Sequence, residues 1–267
     1  MTLTNTARIT ALEKLHPKGT PPGHHTHPTP APTPPPSGIP AIPAGLGTKL
    51  RKVFTDGTLD PFHGLTTPNA HPGTFEVKYG DFVTDAAHIS VHDGYLALRA
   101  TRRADGRYDV VRVGTQLDDL ANPPHRTFEA DAISDVRFMA RMTDIGTRTL
   151  WIGCWQWDPY APTNTEFELD WPETNYGNAR ANMHNPNHNG IASVPMPSGW
   201  HEWRTVRTST YVAFLLDGVE KGRQAVASPA KTILLASVNV GIPWDNVPPD
   251  ATTPDTVALD IAWVTVD

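Results

Sequence analysis

The run TEFELDWPET, residues 165–174, decides how this chain is read. Phe167, Leu169 and Trp171 alternate with Glu166, Glu168 and Asp170, and a period of two belongs to a strand with one apolar and one polar face. Glu173 falls off that alternation. A β-bulge inserts one extra residue into a strand, and proline cannot donate to a ladder. A bulge at Trp171-Pro172 therefore returns Glu173 to the face of Glu168 and Asp170, and three carboxyl groups then stand in a row. From Glu168 to Glu173 the bulged strand covers roughly four regular steps, about 13 Å, which two leaning side chains close to about 5–6 Å.

Like charges that close push each other's pKa apart, so one group holds a proton while its neighbour stays ionised. Glycoside hydrolysis needs that division, and the short gap suits a retaining enzyme with a carboxylate nucleophile better than an inverting one that must seat a water. The plainer reading of the same residues is a solvated acidic edge strand.

The rest of the chain reads as more strands. Asp56-Gly57, Asp93-Gly94, Asp105-Gly106 and Asp217-Gly218 are turn signals between short alternating segments from Lys52 onward. With no strong helical period after residue 50 and no internal repeat, two packed antiparallel sheets are expected rather than βαβ units. The 267 residues, 39% hydrophobic, suffice for one core, so residues 50–267 form one β-sandwich domain and residues 1–49 an arm. Residues 17–45 hold eleven of the 27 prolines and read as an extended, polyproline-type linker. His24, His25 and His27 lie in that arm, where close imidazoles bind metal adventitiously more often than specifically.

A net charge of −6 argues against a nucleic-acid partner, and no stretch approaches the apolar length of a membrane span. Neutral polymers are the better partner class. Cys154, the only cysteine, excludes an internal disulfide and reads as a small buried thiol. The first residues lack the apolar core of a secretory signal. Arginines outnumber lysines, and with abundant Ala, Pro, Thr and Asp they hint at a high-GC genome, an actinobacterium or its phage.

ELDWPE at 168–173 resembles the bulged Glu-x-Asp-x-x-Glu motif of glycoside hydrolase family 16, and the segments around it keep that family's order. TLWIGCWQW at 149–157 is similar to its Trp-Pro-Ala-x-Trp strand, DVRFMARMT at 135–143 to its Tyr-Gly-x-x-Glu-x-Arg strand, and HISVHDGYLALRATRR at 88–103 to its Val-x-Asp-Gly-x-Leu hairpin. WHEWRTVRTSTYVAFLLDG at 200–218 resembles the His-x-Tyr strand and its hairpin, with His201 and Asp217 sixteen positions apart. SVNVGIPW at 237–244 and VALDIAWVTV at 257–266 resemble the Asn-x-x-Val-Gly-Gly-x-Trp segment and the closing strand. The chain departs from the pattern at Trp203, Arg207 and Ile242-Pro243.

The resemblance implies a concanavalin A-like jelly roll and an endo-acting, retaining β-glycoside hydrolase on a polysaccharide: a β-glucan, a galactan-like chain or a host cell-wall glycan. Glu168 would be the nucleophile, Glu173 the general acid and then base, and Asp170 their electrostatic intermediary. Sugar rings stack on flat aromatics, so Trp155, Trp157 and Trp244 are the expected substrate platforms, with His184, Arg141 and Asn239 as polar contacts. Trp151 and Trp263 are expected in the core, while Trp171 depends on the bulge. No cofactor is required. The family commonly carries a structural calcium, and Asp260 matches one of its ligands.

The alternative is a non-catalytic carbohydrate-binding or structural module of a phage tail or capsid. Its arm would dock it to a virion or other protein assembly, with release by lysis or a cytoplasmic location in place of secretion. Transglycosylation onto a second sugar would use the same carboxylates.

Overall fold

Aspartate followed by glycine closes the hairpins. In the computed structural model, which describes residues 38–65, 79–116, 126–143, 146, 150–158, 167–184, 188–225, 231–241 and 247–267, Asp93-Gly94 joins β4 (Ile89–His92) to β5 (Tyr95–Arg102). Asp217-Gly218 joins β13 (Tyr211–Leu216) to β14 (Val219–Ala225). The φ angles are 51° and 80° in the first pair and 50° and 77° in the second. These are the left-handed conformations of a two-residue hairpin whose twist matches its strands. A third such turn, at Tyr176 (φ 48°) and Gly177 (φ 81°), joins β9 (Glu168–Asn175) to β10 (Asn178–His184).

The strands form two layers. The first runs β11 (His188–Pro195), β10, β9, β8 (Leu150–Trp157), β15 (Ile233–Val240), β6 (Tyr108–Gly114). The second runs β5, β16 (Thr256–Val266), β7 (Ser134–Met142), β12 (His201–Arg207), β13, β14. β6 belongs to both, pairing Val111–Gly114 with β15 and Tyr108–Asp109 with β5. β1 (Leu50–Val53) lies along the end of β16, and β2 (His63–Gly64) and β3 (Gly80–Phe82) flank β6. Among the described residues all strand pairings are antiparallel except β3 with β6, as expected for a sandwich whose layers each bury one face.

Between the layers lie Ile152, Cys154, Leu169 and Met183 from the first and Phe138, Trp203, Phe214 and Leu259 from the second. The Cys154 thiol is fully buried, which pushes its pKa up and leaves it inert. Trp171, undecided from sequence, belongs to this core: its ring meets Trp203 edge-on at 5.0 Å and its Nε1 donates to the Leu215 carbonyl at 2.7 Å. Arg207, where the family pattern has Trp, is also buried; its guanidinium lies 4.9 Å over the Phe167 ring and donates to Thr232 Oγ1 at 2.9 Å. Burial lowers its pKa to about 10.

The outer face of the second layer is covered by the end of the proline-rich stretch. Ile39, Ile42 and Leu46 pack on Met139 and Trp263, and Trp263 Nε1 donates to the Pro40 carbonyl at 2.8 Å. Trp263 is thus buried as expected, but beneath this strap rather than between the sheets. His24, His25 and His27 lie outside the described residues, among which no helix is long and apolar enough to cross a membrane.

Candidate active site

The bulge is where proline and the broken alternation put it. Trp155 faces Asp170 but Gly153 faces Glu173, and on the other side Asn182 faces Asp170 while Arg180 faces Glu173. Both neighbours advance two residues while β9 advances three. The extra residue therefore lies at Trp171-Pro172, and Glu168, Asp170 and Glu173 share one face. Gly153 makes room for it, since a Cβ there would stand 3.3 Å from the Pro172 carbonyl oxygen.

Cross-strand pairing fixes what else shares this face. β8 contributes Trp151, Gly153, Trp155 and Trp157; β15 contributes Ile233, Leu235, Ser237 and Asn239; β10 contributes Arg180, Asn182 and His184. His184 Nε2 stands 3.3 Å from Asp170 Oδ2, and its ring stacks on His188 with centroids 4.7 Å apart. Burial, with His184 and Arg180 nearby, lowers the pKa of His188.

Glu173 has the most informative surroundings. Asn182 Nδ2 donates to its Oε2 and the Trp151 indole donates to it as well, so two neutral groups hold the carboxyl. Desolvation raises its pKa and outweighs His184, the two hydrogen bonds and Arg180, all of which favour the ionised form. A carboxyl whose pKa is raised by burial keeps its proton to higher pH than a free glutamate, as a general acid requires.

The aromatic assignments need correcting. Trp155 and Trp157 lie on the carboxylate face as expected, yet both are buried in a cluster with Leu65, Ile233 and Leu235 and offer no open ring. Trp151, expected in the core, is the partly exposed indole beside Glu173. Asn239 is on the face but buried, its amide donating to Ser237 Oγ at 3.1 Å. Trp244 and Glu166 lie outside the described residues.

Arg141 is not on this face at all. It projects from the outer side of the second layer, its Nε 2.8 Å from Asp260 Oδ2 and its guanidinium over Trp200 and Tyr95 at 4.7 and 5.2 Å. Asp260 meets Arg99 Nη1 at 2.6 Å through its other oxygen. A carboxylate already neutralised by two guanidiniums does not fit a divalent cation, and Asp56 is likewise held by Lys52 Nζ at 3.0 Å. Asp260, the calcium ligand that the resemblance implies, is here a member of an ion-pair cluster. Among the described residues no three His, Cys, Asp or Glu side chains converge to hold a metal.

The bulged Glu-x-Asp-x-x-Glu strand lies inside an antiparallel jelly-roll sandwich, the fold that family 16 glycoside hydrolases also have. No protein-family model and no curated protein matches the sequence, but solved structures match the fold. The laminarinase catalytic domain of Thermotoga maritima superposes with TM-score 0.66 at 16% identity, over 81% of this chain and 95% of that one. A non-specific endo-β-1,3(4)-glucanase from family 16 gives 0.63 at 15% identity, over 87% and 94%. A pseudo-β-1,3-glucanase and immunostimulatory antigen of Mycobacterium tuberculosis gives 0.57 at 18% identity, over 77% and 90%.

Proposed function

We propose that the protein is an endo-acting, retaining β-glycoside hydrolase that cleaves a β-glucan. The observation that carries this reading is Glu173: a carboxyl of raised pKa, held by neutral donors, on one strand face with Glu168 and Asp170. Glu168 attacks the anomeric carbon, and Glu173 gives its proton to the departing oxygen. Glu173, now ionised, takes a proton from water as that water displaces Glu168 and restores it. Asp170, bridged to His184, keeps negative charge between the two glutamates and holds their protonation states apart. The β-glucan substrate rests on the likeness of the fold to a laminarinase and an endo-β-1,3(4)-glucanase.

A second reading, a glycan-binding module without turnover, is suggested by the likeness of the fold to a pseudo-β-1,3-glucanase. The deciding experiment measures new reducing ends from β-1,3- and mixed β-1,3/1,4-glucans, with the anomeric form of the first product read by NMR. Release by wild type as the β-anomer, lost in Glu168→Gln, supports the retaining hydrolase; binding without release supports the module.

A further inference from the structure

The two flanks of the carboxylate row are chemically unlike. We propose that the flank formed by β10 and β11 binds a sugar unit carrying an anionic substituent, a carboxylate or a sulfate ester, with Arg180 as its principal contact. This rests on the glycan-binding reading of the face and adds the substituent recognised there.

Arg180 pairs across the ladder with Glu173 and so stands on the carboxylate face, partly exposed. Its surroundings differ from those of the other described arginines. Arg99, Arg102, Arg103, Arg107, Arg126, Arg137, Arg141, Arg204 and Arg223 each meet a carboxylate. Arg51 and Arg207 donate to oxygen atoms, and Arg112 lies over the rings of Phe82 and Trp155. Among the described residues, Arg180 alone of the arginines makes no hydrogen bond, ion pair or ring contact; it acts on Glu173 and His188 only through space. A guanidinium is a rigid fork that matches carboxylate or sulfate oxygens in pairs.

The rest of the flank is donors and exposed backbone. Ser193 faces Arg180 across the ladder, His188 faces His184, and Gly190 faces Asn182 with its nearest side-chain neighbour 3.8 Å from a Cβ built there. The opposite flank holds the partly exposed indole of Trp151 beside Ser237 and Asn239. A neutral sugar satisfies that second flank, but beside Arg180 it leaves a guanidinium that makes no ion pair with its carboxyl neighbour Glu173. An anionic substituent supplies that pair and brings its charge within reach of both imidazoles.

The test compares three forms of one β-glucan oligosaccharide: unmodified, oxidised to the carboxylate at C6, and sulfated at C6. Binding is measured by calorimetry to Glu168→Gln and turnover to wild type, at low and at physiological salt. We expect the charged forms to be preferred by about tenfold at low salt and by less as salt screens the contact. Arg180→Ala should bring the charged-to-neutral ratio close to one, with Arg180→Lys intermediate; reading a ratio keeps a general loss of activity from imitating the effect. The carboxylate and sulfate arms identify which substituent is taken. Equal handling of all three forms by wild type, or a preference that survives Arg180→Ala, overturns the proposal. Charged preference in binding without turnover of any form leaves the proposal standing and removes the hydrolase reading.

Discussion

β9 and β16 lie in opposite layers and carry the same irregularity. In each, a bulge keeps an aspartate and the residue three places later on one face: Asp170 with Glu173 in β9, Asp260 with Trp263 in β16. In β9 the acidic pair is met by a histidine, an asparagine and an indole, and Glu173 remains protonatable. In β16 the aspartate is locked between two guanidiniums and the tryptophan is roofed by the strap at residues 39–46. The same backbone device thus presents a carboxyl of raised pKa in one strand and a carboxylate fixed by two guanidiniums in the other, according to the partners each meets.

The contrast breaks most visibly at Glu173. On the hydrolase reading, Glu173→Gln should lower the rate about 10²–10⁴-fold, the usual weight of a general acid, yet it should raise the melting temperature. The sign follows from burial raising the folded pKa above the unfolded value. The stabilising protonated form is fully present below the unfolded value and lost as pH climbs through the folded one. Glutamine stays neutral throughout, so its advantage should be absent near pH 3 and grow toward neutrality, reaching on the order of 1 kcal/mol. A melting temperature that falls at every pH would remove the desolvated acid from the site. Asp260→Asn should do the opposite. Leaving Arg99 and Arg141 without their carboxylate should cost about 2–3 kcal/mol, less than a fully buried pair because Arg141 is partly exposed. The rate per folded molecule should be unchanged. Chemical denaturation beside initial rates measures both.

A smaller effect sharpens the role of the neutral donors. Asn182 and Trp151 both favour the ionised form of Glu173, so Asn182→Ala and Trp151→Phe should each move the alkaline limb of the kcat/KM profile to higher pH. The rate should fall by about tenfold, the scale of one lost hydrogen bond of 1–2 kcal/mol. A limb that stays in place in both variants would assign the alkaline pKa to another group.

Much of this was legible in the chain because it is local. The bulge follows from Pro172 and the off-period Glu173, and the hairpins from Asp93-Gly94 and Asp217-Gly218. Asn182 was findable in principle by counting outward from the turn, but that turn is Tyr176-Gly177, and tyrosine gives no signal for a positive φ. The tryptophans went astray for a different reason. Trp151, Trp155 and Trp157 alternate onto one face, and which of them is exposed depends on Leu65, Ile233 and Leu235, distant in sequence. Arg141 depends on a partnership across three strands, in which Asp260 on the central β16 meets Arg141 from β7 on one side and Arg99 from β5 on the other. No spacing within a single segment encodes it.

The smallest predicted effect lies at the roofed end of β16. The Trp263 indole spans from the sheet to the Pro40 carbonyl, and Asp267 Oδ1 accepts the backbone N–H groups of Gly47 at 3.0 Å and Thr48 at 2.9 Å. Trp263→Phe keeps most of the apolar contact with Ile42 and Met139 while deleting one hydrogen bond. It should therefore cost about 1 kcal/mol, a drop of roughly 2–4 °C in melting temperature for a domain of this size. Hydrogen exchange should rise at residues 39–48 and stay unchanged on β9, with turnover intact, because strap and carboxylate row lie on different layers. Faster exchange at Glu168–Asn175 in that variant would show that the two bulged strands are coupled through the core, and the contrast between a fixed face and a reactive one would then have to be drawn within a single cooperative unit.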